Sequence, residues 1–183
     1  MQDLSLHILD IAENAINAQA GRIFIQIQED ISNNRLTLVI EDNGRGMDQA
    51  AVDTAVNPFF TTRTTRRIGL GLSLLEQSAK EADGSMRIYS EPGKGTRVVA
   101  TFVNNHIDRK PLGNMADTMI TLIAGNPDID FVFEYVKTGL QSYKLDTAWL
   151  KSELGDVPIS AAEVLEAIKN DIEQGLEPLL KVI

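Results

Sequence analysis

The chain has 183 residues, 43% apolar and 23% charged, the proportions of one folded domain with room for a small appendage, which excludes disordered and fibrous classes. Its 26 acidic against 17 basic side chains leave a net charge of −9, so the surface as a whole repels nucleic-acid phosphates and anionic membranes. Cysteine is absent, which removes disulfides, thiolate metal ligands and iron–sulfur ligation from this chain, and with no signal-peptide pattern or membrane-length apolar run a cytoplasmic protein is expected.

In chain order, Leu4, Ile8, Ile11, Ala12 and Ala15 form one apolar stripe of a helix over 4–18, and His7, Asp10, Asn14 and Asn17 form a polar one. Ile23, Ile25 and Ile27 alternate with Phe24, Gln26 and Gln28, which predicts a strand, and 36–40 is its hairpin partner across the Asn33–Asn34 turn. Asp42-Asn43-Gly44-Arg45-Gly46 breaks the pattern, a short helix is expected over 48–56, and 59–68 reads as a loop bearing Arg63, Arg66 and Arg67. A second helix spans 72–82, with Gly84 placed for a left-handed cap. Strands over 86–90 and 96–102 flank the turn Glu91-Pro92-Gly93-Lys94-Gly95. This order predicts an α/β (α+β) two-layer sandwich with helices on one face of a mixed sheet. A boundary falls at 106–111, dividing the chain into 1–106 and a small α/β appendage, 107–183. In the appendage a helix is expected from about 113 to 124, a hairpin over 131–145 turning near Gly139, and helices near 146–154 and 160–174, the last with Ser160 and Glu163 as a capping box. Trp149, Phe131, Phe133 and Tyr135 read as core residues.

An Asp followed by Asn-Gly-x-Gly is by itself a tight turn, and polar residues on one helix face are usually a solvated face. Their order along this chain carries more. The P-loop and the dinucleotide fingerprint both fail, since Lys94 lacks its glycine and Gly69-x-Gly71 lacks a third. Four boxes instead follow one another: Asp10-Ile-Ala-Glu-Asn14-Ala-Ile-Asn17-Ala18, Asp42-Asn-Gly44-Arg-Gly46-Met47, Gly69-Leu70-Gly71-Leu72 and Gly93-Lys-Gly95-Thr96. With Pro58-Phe59-Phe60-Thr61-Thr62-Arg63 as a further box, residues 6–102 resemble the GHKL ATPase superfamily, which includes histidine-kinase catalytic domains, gyrase-type ATPases and anti-sigma-factor serine kinases.

The resemblance implies a Bergerat-type sandwich that binds ATP with Mg²⁺. Asn14 matches the magnesium ligand, a hard oxygen donor for an ion that keeps most of its waters. Asp42 matches the carboxylate that accepts from the adenine amino group, with Thr96 completing that contact. Asn17, Gly44, Gly46, Met47, Phe60, Thr61, Arg63, Gly69, Leu70, Gly71 and Leu72 fall at further nucleotide-binding positions. The loop 59–68 matches the ATP lid, where Arg63, Arg66 and Arg67 are candidate phosphate clamps.

Two positions depart from the family pattern. The glutamate that activates water in hydrolysing members is Asp10 here, one methylene shorter. Asp10 lies about 40° around the helix from Asn14, and Glu13 about 100°, so Asp10 is the expected base. The Gly-Thr pair that usually precedes Gly-Leu-Gly-Leu is Arg67-Ile68.

Only nine residues precede Asp10, too few for a dimerising helix pair with a phosphoacceptor histidine. The expected function is therefore ATP hydrolysis or phosphoryl transfer to a partner; the alternative is a non-catalytic, ATP-gated binding module. The whole chain, including the boundary His106-Ile-Asp-Arg109-x-Pro-Leu-Gly113, also resembles small standalone ATP-binding proteins that accompany hydrogenase subunits in anaerobic bacteria, which implies a protein partner.

Overall fold

The computed structural model describes residues 2–55, 71–140 and 142–181. Its elements are α1 (Leu4–Asn17), β1 (Arg22–Asp30), β2 (Arg35–Asp42), α2 (Gln49–Ala55), α3 (Gly71–Glu81), β3 (Ser85–Glu91), β4 (Gly95–Val103), α4 (Met115–Gly125), β5 (Asp130–Lys137), β6 (Tyr143–Asp146), α5 (Thr147–Leu154) and α6 (Ala162–Leu180). The expected loop over 59–68 lies outside the described residues.

The strands form one mixed sheet in the order β3-β4-β2-β1-β5-β6. Every neighbouring pair is antiparallel except β1 and β5, which run parallel with Ile25 opposite Phe133. Because side chains alternate along each strand, this register puts Ile23, Ile25 and Ile27 on the same face as Leu36, Leu38, Ile40, Val98, Ala100 and Phe102, and as Phe131, Phe133 and Tyr135. All of these are buried beneath the helical layer. Residues 107–181 thus add strands to the sheet begun by the N-terminal hairpins.

Beyond the β1–β5 pairing, bonds at both ends of the chain fix its second half to the first. The carbonyls of Pro111 and Leu112 accept from Leu4 and Ser5 N–H, both at 2.9 Å, so the segment before α4 satisfies amides that the first turn of α1 would otherwise leave open. Asp3 caps the same helix through Leu6 N–H. At the other end of the sheet, buried Lys137 donates to the Leu179 carbonyl at 2.9 Å and lies 3.3 Å from Glu29, pinning the end of α6 to β1 and β5.

Three expectations are corrected. The left-handed residue after α3 is Asp83 (φ 52°), while Gly84 has an ordinary φ; glycine is needed there because a Cβ would stand 1.8 Å from the Thr101 carbonyl oxygen. Gly84→Ala should therefore push β3 from β4 and destabilise the fold by about 2 kcal/mol in urea titration, and an unchanged midpoint would contradict this. The expected capping box does not form: α6 begins after Ala161, which makes no side-chain capping bond, and the helix runs on through Pro178 to Leu180. Trp149, unlike buried Phe131, Phe133 and Tyr135, is 61% exposed.

Candidate functional site

α1 supplies the first wall of the site. Its apolar stripe, Leu4, Ile8, Ile11, Ala12 and Ala15, is buried, which turns Asp10, Asn14 and Asn17 away from the core, Asp10 and Asn14 half-buried and Asn17 exposed. Asp10 and Asn14 are one turn apart on the same face. His7 departs from this stripe: it is 1% exposed, and neither ring nitrogen has a hydrogen-bond partner among the described residues.

The described part of α3 begins at Gly71 and supplies the second wall. A Cβ on Gly71 would stand 3.0 Å from Asp10 Oδ2, so the Asp10 carboxylate lies against the first turn of α3. The positive pole of the helix dipole points to that end of α3. Leu72 is buried in the core through its side chain, leaving its backbone as the part that can face a ligand.

The third part is the turn after β2. Asp42 Oδ1 accepts from Gly44 N–H at 2.8 Å, and Thr96 N–H also bonds the carboxylate. Burial pushes the Asp42 carboxyl above the usual range; those two amides oppose the shift and neighbouring Glu41 adds to it. A desolvated, oriented carboxylate of this kind favours a strong donor.

Asp42 is directly opposite Thr96 in the β2–β4 register. The Thr96 hydroxyl lies 2.9 Å from Ser90 Oγ, which also donates to the Gly95 carbonyl and accepts from Met47 N–H at 2.8 Å. Gly46 (φ 66°) and Gly95 (φ 94°) permit this packing: a Cβ on either would come within 2.0 Å of a backbone oxygen, that of Glu91 or Asp42 respectively. A cavity of about 260 Å³ opens at these strand ends, lined in part by Asp42, Ser90, Gly95 and Thr96.

Ser90 and Asn43 are the residues that sequence reasoning missed. Asn43 Oδ1 accepts from Gly21 and Arg22 N–H at 2.9 and 2.8 Å, fastening the Asp42 turn to the start of β1. Folding the β3–β4 hairpin about its glycine turn places Ser90 across from Thr96, a signal present in the sequence. Asn43 bonds backbone 21 and 22 residues away, for which local pattern holds no signal.

The structure thus brings Asp42, Gly44, Gly46, Met47 and Thr96 together at one end and Asp10 with Gly71 at the other, with Asn14 and Asn17 further along α1. Phe60, Thr61, Arg63, Gly69 and Leu70, with Arg66 and Arg67, lie outside the described residues. The donor set suits Mg²⁺ with nucleotide phosphates: an amide oxygen on Asn14, a carboxylate beside it and a helix amide end, with no cluster of three or more acidic or histidine ligands among the described residues.

The profile of the family described as histidine kinase-, DNA gyrase B- and HSP90-like ATPase matches residues 2–106. Over 105 residues the chain is 41% identical to a putative sensor protein of Shewanella frigidimarina, covering 55% of this chain and 16% of that one. It is 37% identical over 89 residues to the signal transduction histidine-protein kinase AtoS of Escherichia coli, covering 48% and 14%. It is 31% identical over 84 residues to the anti-sigma F factor of Clostridium kluyveri, covering 45% and 55%. The likeness therefore spans only part of each relative. The N-terminal domain of a DNA repair protein shares the fold, with a TM-score of 0.55 and 16% identity over 80% of this chain and 53% of that one, so the structural likeness reaches beyond residue 106. No helix among the described residues is long and apolar enough to cross a membrane. The ordered boxes, the mixed sheet beneath one helical layer and the match across residues 2–106 together make this chain a member of the GHKL ATPase family, related to histidine kinases and anti-sigma factors.

Proposed function

We propose that the chain binds ATP with Mg²⁺ and promotes attack on its γ-phosphate, by water or by an acceptor side chain of a protein partner, within the cytoplasm. The observation that carries this reading is Asp10 seated against Gly71 at the start of α3, one helical turn from Asn14, where a base, a metal ligand and phosphate-binding amides are needed together.

In this reading residues 1–106 form the nucleotide unit and 107–183 serve the partner. Asp42 and Thr96 hold the adenine edge, and Ser90 keeps the Thr96 hydroxyl oriented. Asn14 offers its amide oxygen to Mg²⁺, whose role when bound is to neutralise charge on the phosphate oxygens. Asp10 accepts the proton of the attacking group. The Gly71 end of α3 orients the phosphates through its amides. The anti-sigma F relative acts, by its name, on a protein, and the resemblance to hydrogenase-accompanying proteins makes a hydrogenase subunit the first partner to assay.

Single-turnover hydrolysis of labelled ATP, with and without partner, tests the chemistry. Asp10→Asn should lose product formation by at least tenfold while retaining ATP, given the usual size of a general-base contribution. Equal turnover in parent and variant would remove Asp10 from the mechanism, and bound but uncleaved ATP in the parent would leave the gated module as the function. Asn14→Ala should keep adenosine affinity and lose the Mg²⁺-dependent part of ATP affinity. A metal dependence unchanged in calorimetric titration would make Asn14 an ordinary helix-face amide.

A further inference from the structure

At the far edge of the sheet, β6, α5 and α6 leave an open apolar groove of about 450 Å³, a size within the range of built ligand clefts. Its floor and walls are Leu145, Leu150, Leu154, Val164, Ala167 and Ile168. Trp149 stands on it with 61% of its surface exposed. A tryptophan this open beside an apolar cleft is the residue type that anchors protein interfaces.

The rim is acidic. Lys144, Asp146, Glu163 and Asp171 border the groove, and the Lys144 ammonium is already held 3.0 Å from Glu134. The nearby lysines are engaged as well, Lys151 with Asp130 at 2.8 Å and Lys169 with Asp117 at 2.6 Å. Exposed Glu153, Glu166 and Glu173 on the same helices extend the negative field.

The geometry points to this groove as the docking site for a partner-protein segment that is apolar along one stripe and basic on its flanks. Lysines or arginines beside the apolar stripe would meet Glu163 and Asp171 while the stripe enters between α5 and α6. A second copy of this chain is disfavoured, because a two-fold contact through this patch would set acidic rim against acidic rim. The inference supplies the chemistry of the protein partner in the function proposed above, and requires no nucleotide.

Trp149 is the chain's single tryptophan, so its emission reports the groove directly. The test adds to the full chain, without ATP, a synthetic leucine–lysine amphipathic peptide of about 14 residues, close to four helical turns, and its leucine–glutamate and leucine–serine counterparts. The lysine peptide should shift Trp149 emission to the blue with saturation, and added salt should weaken it. Ala167→Arg, at an exposed helix position in the groove, should reduce that affinity at least tenfold. Ala124→Arg makes the same charge change on exposed α4 surface and should leave it near the parent value. The inference is overturned by an absent shift, by equal binding of the three peptides, or by equal loss in both arginine variants. Self-association of the parent that Ala167→Arg abolishes would also overturn it, by making a second copy the occupant. Because nucleotide is left out, failure here leaves the ATP reading standing, and loss of ATP binding leaves the peptide result intact.

Discussion

Asp42→Asn is expected to lower ATP affinity by at least thirtyfold, about 2 kcal/mol, while leaving the fold intact. The carboxylate is already oriented by the amides of Gly44 and Thr96 and is held in a site that desolvates it, so an amino donor from the ligand gains a charge-assisted bond there. Asparagine has one side-chain oxygen for those amides. Its NH₂ would then face the adenine amino group, donor against donor, in nearly the same volume. Guanine presents a carbonyl at the same edge, so the parent should discriminate ATP from GTP strongly. Calorimetric titration of both nucleotides into parent and variant, beside matched thermal melts, decides the matter. Equal affinity for ATP and GTP in the parent, or an unaffected variant, would remove Asp42 from adenine recognition.

The second large effect concerns stability and lies on His7. Its imidazole is 1% exposed, with no hydrogen-bond partner among the described residues. Burial lowers its pKa from 6.5 to about 4, with the amino terminus and Lys110 adding to the shift and Asp3 opposing it. As the pH falls through 6.5 the unfolded chain takes up a proton at this position and the folded chain does not until about 4. The contribution is therefore intact above 6.5 and is lost progressively towards 4, amounting at the low end to about 3 kcal/mol. Urea titrations between pH 7.5 and 4.5 should show this decline, and His7→Leu should flatten it. Since the ring nitrogens are unpaired, the variant should be at least as stable as the parent near neutral pH. A parent with level stability over that interval, or a variant with the parental slope, would show that His7 reaches water on folding.

Much of the first half of the fold was legible locally. The apolar spacing in 4–18 marks α1 and its buried stripe, and the alternation of Ile23, Ile25 and Ile27 marks the buried side of β1, because both periods are set by backbone geometry alone. The family boxes could be read for the same reason: the glycines and polar residues that shape the Asp42 turn stand next to one another in the chain. His7 shows where this fails. It shares the helical spacing of Asp10 and Asn14, but α1 packs against both α3 and α4, so residues on one stripe receive different surroundings.

Residue order and local period were thus sufficient to determine the two-layer α/β class, and the boxes, read in order along the chain, carried the resemblance to the ATPase family. Tertiary structure alone decided that β5 pairs in parallel with β1, since both strands have suitable apolar alternation and nothing local selects a partner about a hundred residues away. It likewise decided that Pro111 and Leu112 close the start of α1, that Asn43 reaches back to Gly21 and Arg22, and that Asp10 meets Gly71. Trp149 follows the same physics: its apolar character predicted burial, but whether a helix face is covered depends on what packs opposite it, and α6 leaves that side of α5 as an open groove.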